Sequence, residues 1–384
     1  MRIITTEKIP IKMWLDDIED GAIEQAKNLA NLPFLFKHVA IMPDAHQGYG
    51  MPIGGVIAAN EVVIPNAVGV DIGCGMCAMK TELTEISYEN LLEIVNKIKK
   101  YIPVGFAHHQ KPQENKIFEN YPDVKIIHQE IEKAKYQLGT LGGGNHFIEI
   151  QKGSDGFVWV MIHSGSRNFG LQIAKVYHEK AKEMCLKYHA NITTHDLAFL
   201  PIGEKDCEDY LKAMNYALDF AKGNRYQMMQ TIKHILNTFA HTELNYDEII
   251  NIYHNYARYE NHFGKNVMIH RKGATSARDG EIGIIPGSQG TRSYIVKGKG
   301  NVEGFMSCSH GAGRKMGRKE AQMTLNIDTE KELLNSQRIV HGMTEIEDLD
   351  EAPGAYKDIS EVMKNQKDLV DIMVELSPLA VVKG

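Results

Sequence analysis

The stretch Val70-Asp71-Ile72-Gly73-Cys74-Gly75 places a carboxylate and a thiol three residues apart, with a glycine between them. Because glycine reaches positive φ without steric cost, the chain can turn tightly here and point both side chains into one pocket. A thiolate and a carboxylate together suit a borderline ion such as Mn²⁺, Zn²⁺ or Fe²⁺ better than Ca²⁺ or Mg²⁺. Two ligands do not complete a metal site, so we expect histidines from elsewhere in the chain. The alternative is a strand-end turn with a capping Asp71 and a buried free Cys74.

The first candidate histidine lies in Gly142-Gly-Gly-Asn145-His146-Phe-Ile-Glu149. Three consecutive glycines remove side chains from the backbone, so a bulky anionic ligand can approach its N–H groups closely. Asn145, His146 and Glu149 crowd three polar functions into an otherwise apolar segment. This crowding favours a binding site over a flexible loop with an incidental histidine.

Three further histidines are candidates of unequal strength. His163 ends the apolar run 157–162 and precedes Ser-Gly-Ser-Arg167, and a guanidinium near such a histidine favours a phosphate site, although a strand-end histidine is often a core residue. His254 is a weak candidate by itself, since a surface histidine in a polar helix is common. Ser309-His310-Gly-Ala-Gly-Arg314 places an imidazole among small residues. Such packing suits a histidine approached by a phosphorus centre, as general base or nucleophile, and the alternative is a glycine-rich turn before a helix.

Composition describes a folded protein of ordinary surface chemistry. The 384 residues are 43% hydrophobic and 24% charged, as in globular proteins, and no apolar run approaches membrane-spanning length. Five cysteines without a disulfide pattern favour a reducing compartment, so we expect a cytoplasmic protein with no membrane partner. The net charge of -6 argues against non-specific coating of nucleic acid and leaves room for a local basic groove.

Hydrophobic patterning predicts strands interspersed with helices. Short apolar runs flanked by turn residues predict buried strands at 54–59, 62–70, 77–80 and 157–163. Helical patterns occur at about 16–32, 84–100, 114–137, 170–188, 205–240 (with a kink or break at 223–225), 314–324, 329–336 and 356–375. The candidate ligands span residues 71 to 310, which favours one intertwined domain over residues 1–384. The chain has no phosphate-binding loop, dinucleotide fingerprint, nucleophile elbow or His-Glu-x-x-His motif, so a nucleotide would bind in an unfamiliar way.

Taken in order, these segments closely resemble the RtcB family of RNA ligases, and the resemblance extends over nearly the whole chain. The motifs that carry it are Met42-Pro-Asp-Ala-His-Gln-Gly-Tyr-Gly, Val70-Asp-Ile-Gly-Cys-Gly, Gly142-Gly-Gly-Asn-His-Phe-Ile-Glu, His163-Ser-Gly-Ser-Arg, His254-Asn, His270-Arg-Lys-Gly-Ala, Pro286-Gly-Ser-Gln-Gly, Ser309-His-Gly-Ala-Gly-Arg and the terminal Val-Val-Lys-Gly. The fold implied by the resemblance is a single α+β domain with mixed β-sheets flanked by helices.

The resemblance also implies roles for individual residues. Two Mn²⁺ ions would share Cys74, one completed by Asp71 and His146 and the other by His163 and His254. His310 matches the histidine that attacks the α-phosphate of GTP to form a histidine–GMP intermediate. The expected nucleotide contacts are Asn145, Glu149, Ser288, Gly311, Ala312, Gly313, Tyr356 and Lys383, with Glu149 reading guanine and Tyr356 stacking on the base. Arg167 and Arg314 are the candidates for RNA phosphate.

The activity implied by this resemblance is a GTP- and Mn²⁺-dependent ligation of RNA. A 3′-phosphate end, or a 2′,3′-cyclic phosphate opened first, would receive GMP and then be joined to a 5′-hydroxyl. The enzymatic alternatives are a metal-dependent cyclic phosphodiesterase and a paralogue that caps DNA or RNA 3′-phosphates with guanylate. The non-enzymatic alternative is a nucleotide-binding sensor, which would not need His310 as a nucleophile. One departure is Gly317, where the family pattern leads us to expect a serine, and a glycine could loosen the start of that helix.

Overall fold

The computed structural model describes residues 1–190 and 192–384, in which helices and strands alternate along the chain. The α-helices are α1 (Asp20–Ala30), α2 (Pro65–Val68), α3 (Tyr88–Tyr101), α4 (Lys125–Gln137), α5 (Arg167–Lys187), α6 (Lys205–Ala240), α7 (Arg318–Thr324), α8 (Ile327–Ser336) and α9 (Ile359–Asn365). The strands are β1 (Arg2–Ile4), β2 (Ile11–Met13), β3 (Leu35–His46), β4 (Ile53–Ala59), β5 (Val62–Val63), β6 (Gly75–Lys80), β7 (Phe147–Gly153), β8 (Val158–Ser164), β9 (Leu200–Pro201), β10 (Ile250–Tyr253), β11 (Asn255–His262), β12 (Lys265–Lys272), β13 (Ala274–Ser276), β14 (Ile282–Ile285), β15 (Ser293–Gly298), β16 (Ser307–Ser309) and β17 (Val370–Lys383). None of the described helices combines the length and apolarity needed to cross a membrane.

Two large sheets organise these elements. The first has six strands in the order β1-β2-β3-β4-β12-β11, with β2 and β3 parallel and the other neighbours antiparallel. The second has seven antiparallel strands in the order β10-β6-β8-β7-β17-β15-β14. One mixed and one antiparallel sheet, with helices packed against them, confirm the α+β fold class.

Side-chain alternation gives the seven-stranded sheet two buried faces. Ile162 on one face packs in a cluster with Ile94 of α3 and Ile232 of α6, while Met161 on the other face packs in a separate cluster with Ile284. Successive residues of a strand point to opposite faces, so a single strand contributes to both clusters. The strands of this sheet are therefore packed on both faces.

A single residue connects the two large sheets at this place. β10 ends at Tyr253 in the seven-stranded sheet and β11 begins at Asn255 in the six-stranded sheet, so His254 is the junction. The His254 N–H donates to the carbonyl of Cys74 (2.9 Å), and the Gly73 N–H donates to the carbonyl of Asn255 (2.9 Å). These two bonds fasten the Asp71–Cys74 turn to the sheet junction.

Two of the predicted elements are wrong. Residues 62–70 do not form one strand, because Pro65 cannot donate to a ladder and instead occupies the first turn of α2. The helix predicted at 356–375 ends at Asn365, and β17 begins at Val370. In β17 apolar residues recur at Val370, Ile372 and Val374, and pairing with β15 and β7 stabilises the extended chain.

Helix boundaries differ in smaller ways. The predicted helix at 114–137 begins only at Lys125, because Pro122 restricts the chain just before it. The helices predicted from residues 16 and 314 begin at Asp20 and Arg318. α6 runs without a break through residues 223–225, where a kink or a break was expected.

Candidate active site and metal centre

Two glycines shape the turn that carries Asp71 and Cys74. Gly73 has φ +74°, and a Cβ there would lie 3.0 Å from the Cβ of Ala221 in α6. A Cβ on Gly75 would lie 2.0 Å from the carbonyl oxygen of Ile252 in β10. The first position needs positive φ and the second needs close backbone approach, so both require glycine. The Cys74 N–H closes the turn by donating to the carbonyl of Asp71 (3.1 Å).

All five predicted metal ligands meet at this turn. Asp71, Cys74 and His146 form one group and Cys74, His163 and His254 form another, with the ligand atoms of each group within 4.8 Å of one another. The Sγ of Cys74 lies 3.5 Å from Nε2 of His146 and 3.2 Å from Nε2 of His163. Nε2 of His146 lies 3.1 Å from Oδ2 of Asp71, and Nε2 of His163 lies 3.4 Å from Nε2 of His254. Cys74 belongs to both groups.

Backbone carbonyls orient two of the imidazole rings. Nδ1 of His146 donates to the carbonyl of Leu141 (3.0 Å), and Nδ1 of His163 donates to the carbonyl of Asn145 (3.0 Å). This choice of tautomer leaves the lone pair on each Nε2, which is the atom that faces Cys74.

The lone pairs of the five predicted ligands point towards one another, so these residues are suited to binding a metal ion. Burial holds the pKa of both His163 and His254 well below the ordinary value, so these rings are neutral and suited to ligation. Burial, followed by the nearby Asp71, raises the pKa of the Cys74 thiol well above its usual value, so a cation must displace that proton to bind sulfur. Neutral imidazoles, a thiolate and a carboxylate form a donor set that suits borderline ions.

His310 lies beside this centre and is held by an aspartate. The His310 ring is 4.8 Å from the His254 ring, centroid to centroid. Nδ1 of His310 donates to Oδ2 of Asp44 (2.6 Å), and the same oxygen accepts from the N–H groups of His310 (3.0 Å) and Gly311 (3.2 Å). Burial raises the pKa of Asp44, but the charge and hydrogen bond of His310 outweigh burial and lower it overall. Asp44 thus fixes the tautomer that leaves the lone pair on Nε2 of His310.

A cavity of about 1010 Å³ joins these groups. Its lining includes Asp71, Cys74, His163, His254 and His310 together with the eight expected nucleotide contacts Asn145, Glu149, Ser288, Gly311, Ala312, Gly313, Tyr356 and Lys383. Gly313 has φ +74°, and a Cβ there would lie 2.1 Å from the carbonyl oxygen of Asp44. The glycine therefore lets this loop pack directly against the strand that carries the His310 partner.

Glu149 is a buried carboxyl in the cavity wall. Burial raises the pKa of Glu149 to about 8, although a hydrogen bond from Gln151 (2.6 Å) and the charge of Lys383 oppose this. A ligand that donates hydrogen bonds to the carboxylate would compensate for the solvation lost on burial. The N1–H and 2-amino groups of guanine are donors of that kind.

Glu351, which the sequence pattern did not single out, is the common partner of the charged side chains on the far side of the cavity. Its carboxylate accepts from Arg314 (3.1 Å), from Arg318 (3.0 Å) and from the Tyr356 hydroxyl, and Lys383 lies 3.8 Å away. The Arg314 guanidinium also covers the Tyr356 ring at 5.2 Å. A buried acid with several cationic partners is a rigid anchor, so it fixes the orientation of the Tyr356 ring in the cavity wall.

The two arginines expected at RNA phosphates are engaged with protein acceptors. Arg167 donates to Thr140 (3.3 Å) and to the carbonyl of Gly105 (3.3 Å), lies 3.4 Å from Nδ1 of His146, and is not part of the cavity lining. Arg314 lines the cavity, but its guanidinium donates to Glu351 and to the Asp350 carbonyl (2.6 Å).

Sequence reasoning also missed Asp44 and Lys272. Asp44 stands in the quoted run Met42-Pro-Asp-Ala-His, and a carboxylate where a strand meets a glycine-rich loop was the available signal. Lys272 is buried in the cavity wall and donates to the carbonyls of Tyr49 (2.5 Å) and Asn66 (3.0 Å). Burial lowers the pKa of Lys272 to about 7. Lys272 immediately precedes Gly273, and a Cβ added at Gly273 would lie 3.1 Å from the His310 ring. This closeness to His310 follows from the fold and not from any local pattern.

Comparisons with known proteins identify the family of this chain. The family described as "tRNA-splicing ligase RtcB" matches residues 25–124 and 109–384. The chain is 40% identical to "RNA-splicing ligase RtcB" of Escherichia coli strain K12, over 100% of this chain and 99% of the relative. It is 32% identical to "tRNA-splicing ligase RtcB" of Nanoarchaeum equitans, over 100% of this chain and 95% of the relative, and 32% identical to that of Pyrobaculum aerophilum, over 98% and 95%. The chain therefore belongs to the RtcB family.

Proposed function

We propose that this protein is a GTP- and Mn²⁺-dependent ligase that joins RNA 3′-phosphate ends to 5′-hydroxyl ends. The names of its relatives support RNA as the substrate. The observation that carries the chemistry is the position of His310: its ring is 4.8 Å from that of His254, and Asp44 holds its Nδ1 proton. A nucleophilic nitrogen beside a two-site metal centre is what phosphoryl transfer to a histidine requires.

The metal centre would be shared between two ions. Asp71, Cys74 and His146 would hold one Mn²⁺, and Cys74, His163 and His254 would hold the other. When bound, these ions offset charge on the phosphoryl oxygens and hold the reacting groups in line. His163 lies in β8 of the seven-stranded sheet and His254 lies at the junction of the two large sheets, so we propose that residues 1–384 act as one domain.

In the first step, His310 takes up guanylate. The lone pair on its Nε2 attacks the α-phosphorus of GTP, a nitrogen–phosphorus bond forms, and the bond to the β-phosphate oxygen breaks to release pyrophosphate. Asp44 keeps the proton on Nδ1 and stabilises the positive charge that develops on the ring. The Gly311–Gly313 backbone lines the cavity next to this nitrogen and is the proposed contact for the nucleotide phosphates.

In the second and third steps, guanylate passes to RNA and then leaves. An oxygen of the RNA 3′-phosphate attacks the guanylate phosphorus, and the imidazole of His310 departs with its electron pair. The 5′-hydroxyl then attacks the 3′ phosphorus, loses its proton and displaces GMP. A phosphate monoester has no good leaving group of its own, so the guanylate activates it. A 2′,3′-cyclic phosphate end must first be hydrolysed to the 3′-phosphate.

Glu149 is the proposed reader of the base. Its carboxylate accepts hydrogen bonds from N1–H and the 2-amino group of guanine, a pair of donors that adenine does not have. ATP would leave the buried carboxylate of Glu149 without these partners. A site built in this way discriminates against such an analogue on the order of 10⁴-fold. Tyr356 is the proposed stacking partner, and Asn145, Ser288 and Lys383 are further proposed contacts in the same cavity wall.

Covalent labelling tests this proposal. The purified protein is incubated with Mn²⁺ and GTP carrying a radioactive α-phosphate, and denatured samples are examined for label. We expect label on the wild type and on the control His178→Gln, whose half-buried ring lies outside the cavity. His310→Ala should carry none while still binding manganese. Label that persists in His310→Ala would contradict the proposed nucleophile.

The same samples separate the alternatives. A defined RNA pair with 3′-phosphate and 5′-hydroxyl ends is added, with a DNA pair beside it, and sealing is followed by gel electrophoresis. Opening of a cyclic phosphate without any protein labelling would identify a phosphodiesterase. Nucleotide binding without labelling or sealing would identify a sensor.

A further inference from the structure

The middle of α6 carries two polar residues that are completely buried and do not border the cavity. Asn224 and Arg225 follow Gly223 in this helix, at the point where the sequence pattern predicted a break. The acceptors of the Arg225 guanidinium are an amide oxygen and two backbone carbonyls, not a carboxylate. Burial of a cation under these conditions is unfavourable unless its hydrogen bonds are well made. The pair therefore needs an explanation beyond helix packing.

Arg225 contacts the chain segments that carry three of the proposed metal ligands. Its Nη1 donates to the carbonyl of Gly73 (2.9 Å), immediately before Cys74, and to the carbonyl of Ser164 (2.7 Å), immediately after His163. Its Nε donates to the side chain of Asn251 in β10 (2.8 Å), and the guanidinium covers the ring of Tyr253 at 5.4 Å. Tyr253 immediately precedes His254. One side chain thus holds the three chain segments of the Cys74–His163–His254 group.

Asn224 makes the corresponding contacts for the remaining histidine loop. Its Oδ1 accepts from the N–H groups of Gly139 (2.7 Å) and Thr140 (3.1 Å). Its Nδ2 donates to the carbonyl of Thr140 (3.1 Å), to the Ser164 hydroxyl oxygen (3.2 Å) and to the carbonyl of Gly165 (3.2 Å).

The Ser164 hydroxyl extends this connection to His146. It donates to the carbonyl of Leu141 (2.7 Å), and the same carbonyl accepts from Nδ1 of His146 (3.0 Å). Asn224 therefore fixes the loop before His146 to the end of the strand that carries His163. Together with Arg225 it connects every segment that contributes a ligand.

We propose that Asn224 and Arg225 are positioning residues that set the spacing of the ligands around Cys74. This inference rests on the metal centre of the proposed function. The ligands come from four separate segments, so their spacing must be imposed by a common element, and α6 is the element that all four contact through these two side chains. Removal of outer partners of metal ligands typically weakens metal affinity by about 10- to 100-fold.

Cobalt titration of the full-length protein tests the proposal without GTP or RNA. The variants are Asn224→Leu and Arg225→Met, which keep much of the buried volume and remove the hydrogen bonds. The control is Ile232→Ala, a buried position two turns further along α6 that packs in the apolar cluster with Ile94 and Ile162. Thiolate-to-cobalt absorption reports binding at Cys74, and metal analysis gives the number of ions per chain.

We expect two ions per chain in the wild type and in the control, with affinities within about 3-fold of each other. Asn224→Leu and Arg225→Met should bind cobalt about 10- to 100-fold more weakly. Circular dichroism and thermal unfolding identify the variants that fold. If Arg225→Met does not fold, Arg225→Lys keeps the charge but lacks the planar fork that reaches three acceptors, and it too should bind more weakly than the control.

Folded variants that bind two cobalt ions with wild-type affinity would overturn the positioning role. A different result separates this failure from that of the proposed function. If the wild type itself binds no cobalt at Cys74, the metal centre is wrong and the inference falls with it. If the wild type binds and the variants bind equally, only the role of Asn224 and Arg225 is wrong.

Discussion

The two ends of the cavity are built on different principles. At the proposed metal end, formed by Asp71, Cys74, His146, His163 and His254, hydrogen bonds to backbone groups hold the ligands: carbonyls of Leu141 and Asn145 orient two rings, and glycines fix the turn. At the other end, where we propose that the nucleotide binds (the nucleotide end, formed by Glu149, Ser288, Glu351, Tyr356 and Lys383), charged side chains hold one another, with Glu351 at the centre of the network.

This difference predicts different responses to mutation. Backbone carbonyls and tight turns leave no freedom to rearrange, so loss of the shared ligand Cys74 or one added Cβ at the metal end should disable the whole centre. When one cation around a carboxylate is lost, the remaining cations can still pair with it, so single substitutions at the nucleotide end should cause a partial and not a complete loss of function. The following predictions test this contrast, from the largest effect to the smallest.

Cys74→Ser should have the largest effect, because the sulfur belongs to both ligand groups. A serine hydroxyl is a poor ligand for a borderline ion, so we expect both ions to be lost, a reduction in affinity of more than about 100-fold. Asp71→Asn is the matched control, since Asp71 belongs to one group only and one ion should remain. Metal analysis of the two purified variants checks this. Equal stoichiometry in both would show that the sulfur is not shared.

Asp44→Asn should have the next largest effect, between the two ends. Asparagine can still offer an oxygen to Nδ1 of His310, but it removes the negative charge that stabilises the positive charge developing on the ring. We expect the rate of covalent labelling to fall by about 10² to 10⁴-fold, as for a histidine that loses its orienting carboxylate. Single-turnover labelling measures the rate. Cobalt stoichiometry should stay at the wild-type value, and a loss of metal would mean that Asp44 supports the centre and not the nucleophile.

The metal end was predictable from sequence because its residue types are rare in such settings. A thiol and a carboxylate around Gly73, and histidines beside glycines or at a strand end, were enough to nominate Asp71, Cys74, His146 and His163. His254 was weak by itself, because its importance comes from joining the two sheets, a long-range property that no local pattern contains. The α+β fold class was predictable, but β17 was read as helix up to residue 375, since its strand pairing is supplied by distant segments.

The nucleotide end was predictable only through the family resemblance. Glu351 lies in an ordinary acidic stretch, Glu345-Ile-Glu-Asp-Leu-Asp-Glu351, and nothing local distinguishes it from the other acidic residues of that stretch. Its four partners come from α7, from the loop before it, from Tyr356 in the segment before α9 and from the end of β17. The burial and the charged partners of an acidic residue decide its role, and here distant segments supply both, so the local sequence cannot predict it.

Glu149→Gln should change stability with a defined dependence on pH. Burial raises the pKa of Glu149 to about 8 from 4.5, so between these values the unfolded chain releases a proton that the native state retains. The free energy of unfolding of the wild type therefore falls as pH rises from 4.5 to 8 and then levels. Glutamine does not titrate, so the variant lacks this pH dependence. It should be more stable than the wild type by about 3 kcal/mol at pH 7 and by little at pH 4.5.

Urea unfolding at pH 4.5, 7 and 8.5 measures this difference, with the exposed Glu24→Gln as the control that should show none of it. The same Glu149→Gln variant should lose its preference for GTP over ATP in the labelling assay, because the proposed acceptor for two guanine donors is gone. A stability difference that does not grow with pH would contradict the raised pKa. Retained selectivity for GTP would remove Glu149 as the reader of the base.

Gly317→Ser should have the smallest effect and compares a glycine at each end. Gly317 is the N-cap of α7 with φ -67°, a Cβ there meets nothing within 4 Å, and Glu320 already accepts from its N–H (3.2 Å). Serine adds a cap oxygen and restricts the unfolded chain, so we expect a gain of about 0.5 to 1 kcal/mol in urea unfolding and unchanged labelling. Gly73→Ser is the counterpart: at φ +74° and against Ala221, it should destabilise the protein and weaken cobalt binding. Equal tolerance of serine at both positions would mean that the metal end is no more rigid than the nucleotide end.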